Sequence, residues 1–211
     1  MLVSEIDFSR VPQKSIKDFL LSQQLGQIGD LVSLCYIPDK EPYSKHQRHY
    51  VINAGIDAAW DAYMHLHPAQ LWESNMISFG LMYSRSEDLV LYRDSEFTCL
   101  EVGQIYFINL KIIGTALQIP VLHEMNQVDH ENKVIRTCYL KGGKSEGSQW
   151  IRLTAIDENT TLAEHETFYK GSSLIRDRYF YPYFHTKAIN QFHGNIQKAV
   201  EEESRALNLT H

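Results

Sequence analysis

Gln149-Trp150-Ile151-Arg152-Leu153-Thr154-Ala155-Ile156, then Asp157-Glu158-Asn159-Thr160, then Leu162-Ala163-Glu164-His165-Glu166-Thr167-Phe168-Tyr169-Lys170 is the stretch on which the fold turns. In its first part Ile151, Leu153 and Ala155 alternate with Trp150, Arg152 and Thr154, the period of two expected of a strand with unlike faces. Four small or polar residues follow, and alternation then resumes, so the stretch predicts a β-hairpin.

Working back from it, 142–147 is rich in Gly and reads as another turn. Residues 133–140 and 121–128, joined by the polar turn 129–132, form a preceding hairpin, and 104–113 places Tyr106, Ile108, Leu110 and Ile112 on one face. Hairpins in succession make an antiparallel meander. A short strand at 89–92 comes earlier. Before that, Tyr50-Val51-Ile52 reads as a strand and Asn53 as the N-cap of a helix bearing Ile56, Ala59, Trp60 and Tyr63. Pro68 restarts the chain, and Leu71, Trp72, Met76 and Phe79 continue a broken helical face up to Gly80. The basic run Lys45-His46-Gln47-Arg48-His49 reads as a solvated lead-in to the strand.

Beyond the hairpin the period reverts to helical. Phe184, Ala188, Phe192, Ile196 and Ala199 recur every three or four residues, predicting a long helix that starts near 174 or 181 and ends near 206. Five aromatics crowd the six residues 179–184, more than one helix face can bury. They read either as a gate at a cavity mouth, with Tyr179 and Tyr183 in it, or as a packing site for the N-terminal helix. That helix is expected over 12–25, with Ile16, Phe19 and Leu20 needing burial and Gly26 as its stop. Residues 1–45 are thus read as an N-terminal extension packed on a main domain of 46–211.

Bulk properties narrow the function classes. The 211 residues are 44% hydrophobic and 22% charged, which suits one globular unit. Twenty-six acidic against 20 basic residues leave a net charge of −6, and nucleic-acid binding, which needs a basic surplus, is not expected. The N-terminus lacks the pattern of a signal peptide, and no apolar run approaches the roughly 20 residues that cross a bilayer. Cys35, Cys99 and Cys138 are widely spaced and odd in number, so they are read as reduced and the protein as cytoplasmic.

The order of strand, two short helices, antiparallel meander and long terminal helix resembles the START-like superfamily, also called SRPBCC. The resemblance rests on Tyr50-Val51-Ile52-Asn53-Ala54 leading into Ala58-Ala59-Trp60-Asp61, on Pro68-Ala69-Gln70-Leu71-Trp72, and on the 150–156 and 159–162 hairpin. It covers roughly 49–203. It implies an α+β helix-grip fold, an antiparallel sheet curved around the C-terminal helix, and binding of a lipid-like or aromatic ligand between them. The superfamily has no diagnostic signature, so it supplies no catalytic set.

Candidate ligand-binding residues are Tyr106, Ile108, His123, Met125, Tyr139, Ile151, Leu153, His165, Phe184, Ala188 and Phe192. His123 shares a face with Val121 and Met125. His165 faces the helix if Thr167 and Tyr169 do, and Glu164 and Glu166 face it otherwise; a histidine in an apolar wall could anchor a ligand carbonyl. The metal candidates, His65-x-His67 and the pair His185 and His193, lack the i, i+4 spacing and an acidic partner. There is no GxSxG elbow, and Lys141-Gly142-Gly143-Lys144 lies between strands and opens no helix. Expected partners are a hydrophobic small molecule and, as an open option, a second copy of the chain; no cofactor, metal or membrane insertion is expected. Binding is favoured over a cyclase- or hydrolase-type activity on the same ligand.

Overall fold

A computed structural model of the chain describes residues 1–39, 42–113 and 117–208, with the backbone alone at 113 and 207–208. The strands are β1 (Ser33–Leu34), β2 (Ser44–Ile52), β3 (Ile77–Ser84), β4 (Leu89–Leu91), β5 (Gln104–Ile113), β6 (Leu117–Asp129), β7 (Val134–Leu140), β8 (Ser145–Asp157) and β9 (Thr160–Gly171). The helices are α1 (Lys14–Ser22), α2 (Ile56–His65), α3 (Pro68–Leu71) and α4 (Tyr181–Asn208), the last preceded by a π-helical turn at Arg176–Phe180. Eight strands form one antiparallel sheet in the order β2-β9-β8-β7-β6-β5-β3-β4, and β1 pairs with the end of β7. This is an antiparallel sheet, a long C-terminal helix and an N-terminal helix, as the periodicities predict, with the sheet curved around the C-terminal helix as the resemblance implies.

The sheet has two buried faces. Toward α4 it presents Tyr106, Ile108, Met125, Ile135, Ile151, Leu153 and Ala163, which meet Phe192, Ile196 and Val200. On the other face Leu81, Tyr83, Ile105, Phe107, Leu122 and Leu140 meet the N-terminal segment through Ile16, Phe19, Leu20, Ile28 and Leu31. The two sets alternate along β5, Tyr106 and Ile108 inward, Ile105 and Phe107 outward. The segment therefore covers the outer face and does not reach the aromatic run at the start of α4, which removes the packing-site reading of 179–184. Glycine at 80 is needed here: a Cβ would lie 2.2 Å from Ile16 Cδ1 and 3.1 Å from the Phe107 carbonyl.

Several expectations are corrected. The stretch expected to continue a helix through Met76 and Phe79 is α3, one turn long, followed by β3. Every residue of β3 is buried, because α4 lies on one side and the N-terminal segment on the other. Such a strand has no alternating pattern to read. The basic lead-in is part of β2, paired residue for residue with β9 from Ser44↔Tyr169 to Ile52↔Thr161, and His46 is buried. Gly55, not Asn53, precedes α2 as its cap. Of the cysteines, Cys35 and Cys138 form a disulfide with their Cα atoms 4.8 Å apart, within the usual span of such a bridge. Only Cys99 among the three is a free thiol. β1 pairs antiparallel with β7 and delivers Cys35 to Cys138, an adjacency no spacing in the sequence reveals. The bridge withdraws the cysteine argument for a reducing compartment. Among the described residues no helix is long and apolar enough to cross a membrane.

Candidate functional site: a cavity with a buried histidine network

Between the inner face of the sheet and α4 lies a cavity of about 440 Å3. Ile108 and Leu110 of β5, Ile119 and Val121 of β6, and Phe184 and Ala188 of α4 make apolar walls. A second space of about 50 Å3 lies deeper, among Tyr106, Met125, Ile135, Ile151 and Phe192. Trp72, His123 and Gln149 line both spaces and so stand between them.

Ten of the eleven candidate residues line one space or the other. Ile108, Tyr139, Phe184 and Ala188 face the larger, Tyr106, Met125, Ile151, His165 and Phe192 the smaller, and His123 both. Leu153 lines neither and is buried core. On β9 the inward set is Ala163, His165, Thr167 and Tyr169, each buried, while Glu164 and Glu166 face outward and pair with Arg152. In the run 179–184, which spans the start of α4, Phe180, Tyr181 and Phe184 line the cavity. Tyr179 and Tyr183, 63% and 54% exposed, do not.

Against the apolar walls stands a polar network that converges on Gln149. Its carboxamide oxygen lies 2.8 Å from His165 Nε2 and 3.2 Å from His185 Nε2. Its carboxamide nitrogen lies 3.2 Å from the Tyr139 hydroxyl, and 3.1 and 3.3 Å from the two ring nitrogens of His123, hence over that ring rather than in line with either atom. His165 Nδ1 is 2.9 Å from His193 Nε2, and His193 Nδ1 is 2.6 Å from the Tyr63 hydroxyl on α2. On the other arm His185 Nδ1 is 3.1 Å from His46 Nδ1, and His46 Nε2 is 2.9 Å from Thr186 Oγ1. The Tyr139 and Tyr181 hydroxyls are hydrogen-bonded to each other.

The local fold explains the convergence. Inward positions on β2, β9, β8, β7 and β6 supply His46, His165, Gln149, Tyr139 and His123 side by side across the sheet. Tyr181, His185 and His193 recur at four- and eight-residue spacing, one stripe of α4 facing them. The Tyr181 ring stacks between Tyr169 and His185, with centroids 3.6 and 4.9 Å away.

Burial keeps these imidazoles neutral. It lowers His123 and His165 to about 3, and His46, with Arg48 nearby, to about 4. His185 and His193 are pushed well below the ordinary value by burial and then by neighbouring His165. Burial raises the Tyr63, Tyr139 and Tyr181 hydroxyls. The site is therefore rich in neutral hydrogen-bonding groups and holds no fixed charge at its centre.

Sequence reasoning found His123, His165 and Tyr139 but not Gln149, His46 or Tyr63. His185 and His193 drew notice only as metal candidates. Of the other pair, His67 accepts the Ala69 amide hydrogen at the start of α3, and His65 pairs with Asp61 at the surface. Among the described residues no group of three or more His, Cys, Asp or Glu is arranged to hold a metal ion.

No protein-family model and no curated protein sequence matches the chain. Solved structures do. Norcoclaurine synthase from Thalictrum flavum, in complex with dopamine and hydroxybenzaldehyde, superposes with a TM-score of 0.56 at 14% identity, over 76% of this chain and 88% of that one. The fold shared with it is the helix grip, the fold that the resemblance implied. Ginseng major latex-like protein 151 from Panax ginseng aligns at a TM-score of 0.52 and 13% identity over 74% of this chain and 97% of its own. A protein from Thermus thermophilus gives 0.55 and 11% over 76% and 99%. At these identities the likeness concerns the helix-grip fold alone.

Proposed function

We propose that this helix-grip protein binds a hydrophobic small molecule, lipid-like or aromatic, between the sheet and α4. The observation that carries this is the cavity of about 440 Å3, a size typical of small-molecule sites, with apolar walls and a few convergent polar groups. Apolar volume left unfilled forgoes packing at roughly 24 cal/mol per Å3, and a ligand restores those contacts. That the same fold holds dopamine and hydroxybenzaldehyde in norcoclaurine synthase supports an aromatic ligand as one form of the reading.

Native mass spectrometry of the protein purified from its own host is expected to show an apolar molecule retained by the chain. An Ala188→Trp variant fills the space beside Phe184 and is expected to keep the fold, by circular dichroism, and lose the bound mass. A protein that arrives empty and takes up no apolar dye, in either form, sinks the proposal.

A cyclase- or hydrolase-type activity is the second reading, favoured by the convergence of His123, His185, Tyr139 and Tyr181 at one wall. The low proton affinity of His123 makes it a weak base at neutral pH, which supports binding over proton abstraction. Recovery of the retained molecule chemically unchanged after prolonged incubation supports a carrier, and its conversion supports an enzyme.

A further inference from the structure

The network admits two hydrogen-bond polarities, and its deep end, at His193 and Tyr63, selects one of them. If Gln149 presents its oxygen to His165 and His185, then each neutral ring donates from Nε2. His165 Nδ1 must then accept from His193 Nε2, and His193 Nδ1 must accept from the Tyr63 hydroxyl. With the carboxamide reversed, every bond on this arm reverses too. His193 would donate to Tyr63, and the Tyr63 hydrogen, fully buried and with His193 its hydrogen-bond partner, would have no acceptor. A buried donor without an acceptor costs more than an unused lone pair. Thr186, at the end of the other arm, does not discriminate, because a hydroxyl serves His46 in either sense.

The polarity has a consequence at the cavity. With the Gln149 oxygen turned to the histidines, its NH2 group donates to the Tyr139 hydroxyl. The Tyr139–Tyr181 pair then carries two hydrogens, one of which bridges the pair, so one O–H remains for the cavity that both tyrosines line. With the carboxamide reversed, Tyr139 would donate to Gln149 and Tyr181 to Tyr139, and none would remain. Among the described residues Lys144 and Arg176 line the same cavity and no carboxylate does. We propose that Tyr139 and Tyr181 form a donor site for a carbonyl or carboxylate oxygen on an otherwise apolar ligand, the buried end of the network at His193 and Tyr63 fixing the sense that leaves their O–H free.

This rests on the cavity-binding function proposed above, and its test separates the two. Histidine tautomers in the unmodified protein, read by long-range 1H–15N correlation NMR, are expected to show His165 and His193 both protonated on Nε2. Protonation of either on Nδ1 overturns the polarity. Quenching of tryptophan fluorescence, with Trp72 in the wall, then compares the ketone acetonaphthone with its hydrocarbon isostere isopropylnaphthalene. The ketone is expected to bind at least about fivefold tighter, the worth of one net hydrogen bond. Equal binding leaves the cavity reading standing and overturns the donor site; binding of neither probe overturns both. In Tyr63→Phe the reversed sense would leave the His193 Nδ1–H buried without an acceptor and the present sense only an unused lone pair, so the preference is expected to persist. In the Tyr139→Phe/Tyr181→Phe double variant both O–H donors are gone, and the preference is expected to fall toward one. A preference unchanged in that variant, folded by circular dichroism, overturns the donor site, and if the variant does not fold, the ketone comparison in the unmodified protein decides.

Discussion

On the outer face of the sheet Ile16, Phe19 and Leu20 lock against Leu81, Ile105 and Phe107, apolar against apolar, with the disulfide at one end. On the inner face the same strands enclose a cavity and five neutral histidines. The two interiors answer different perturbations. The outer one is sensitive to lost volume, and the inner one to protons and to whatever fills the space.

The largest expected difference is therefore in pH response. His46, His123 and His165 titrate at about 4, 3 and 3 in the folded protein, against an ordinary value near 6.5 in the unfolded chain. Between those values the unfolded state binds protons that the folded state refuses. Stability is thus fully present above about pH 6.5 and falls as pH drops toward the folded values. By linkage each independent histidine costs about 2 kcal/mol at about pH 5, so two of the five suffice for about 4 kcal/mol. Urea denaturation at neutral and at mildly acidic pH measures this. A midpoint that does not move over that range means the inner histidines are already solvated, and the comparison of faces breaks.

Volume comes next. Phe107 is fully buried on the outer face, and Phe107→Ala is expected to cost about 3–5 kcal/mol through the cavity it opens. Phe184→Ala, at a wall that already borders open space, is expected to cost less than half as much. Equal losses in thermal denaturation would show that the inner space is closed in solution.

How far these faces were legible follows from what surrounds each strand. β5, β6, β8 and β9 each keep long stretches with one inward and one outward set, so alternation revealed the meander and the shared face of Tyr106, Ile108 and Leu110, and narrowed His165 to one of two faces without choosing between them. β3 is buried on both sides, and its run from Ile77 to Tyr83, apolar but for Ser78 and Gly80, looks the same as a helical face when followed through Trp72 and Met76. At the site, a histidine in an apolar strand is a local signal, but Gln149 is an ordinary polar residue within β8. Its importance comes from lying inward across from Thr167 and between Tyr139 and His165, which register alone determines. His185 and His193 carried a signal in their eight-residue spacing, two turns of one stripe with Ala188 and Phe192 between. The disulfide had none, because 103 residues separate its halves.

That bridge ranks third among the expected effects. Closing a loop of this length restricts the unfolded chain strongly, and Cys35→Ser is expected to lower stability by about 2–4 kcal/mol. The loss should fall on the outer face: hydrogen exchange is expected to quicken in α1 and β1, where Arg85 also holds the Leu31 carbonyl and Glu124, and to change little in α4. Faster exchange spread evenly over α4 as well would mean that the two faces unfold as one unit.

The smallest expected effect lies at the aromatic run at the start of α4. The crowding of five aromatics into 179–184 invites a gate made of its exposed rings, yet of the three exposed ones Tyr179 and Tyr183 line no cavity and only Phe180 does. Lys187 Nζ donates to the Tyr183 hydroxyl at the surface, and Arg178 lies over the Tyr179 ring. Tyr179→Ala and Tyr183→Ala are therefore expected to change stability by less than about 0.5 kcal/mol and to leave the rate of dye uptake as it was. Phe180 and Phe184, which border the cavity from the same run, are where truncation should alter that rate. Slower uptake in the tyrosine variants, with Phe180→Ala unchanged, would move the entrance to the exposed side of the run and away from the cavity wall.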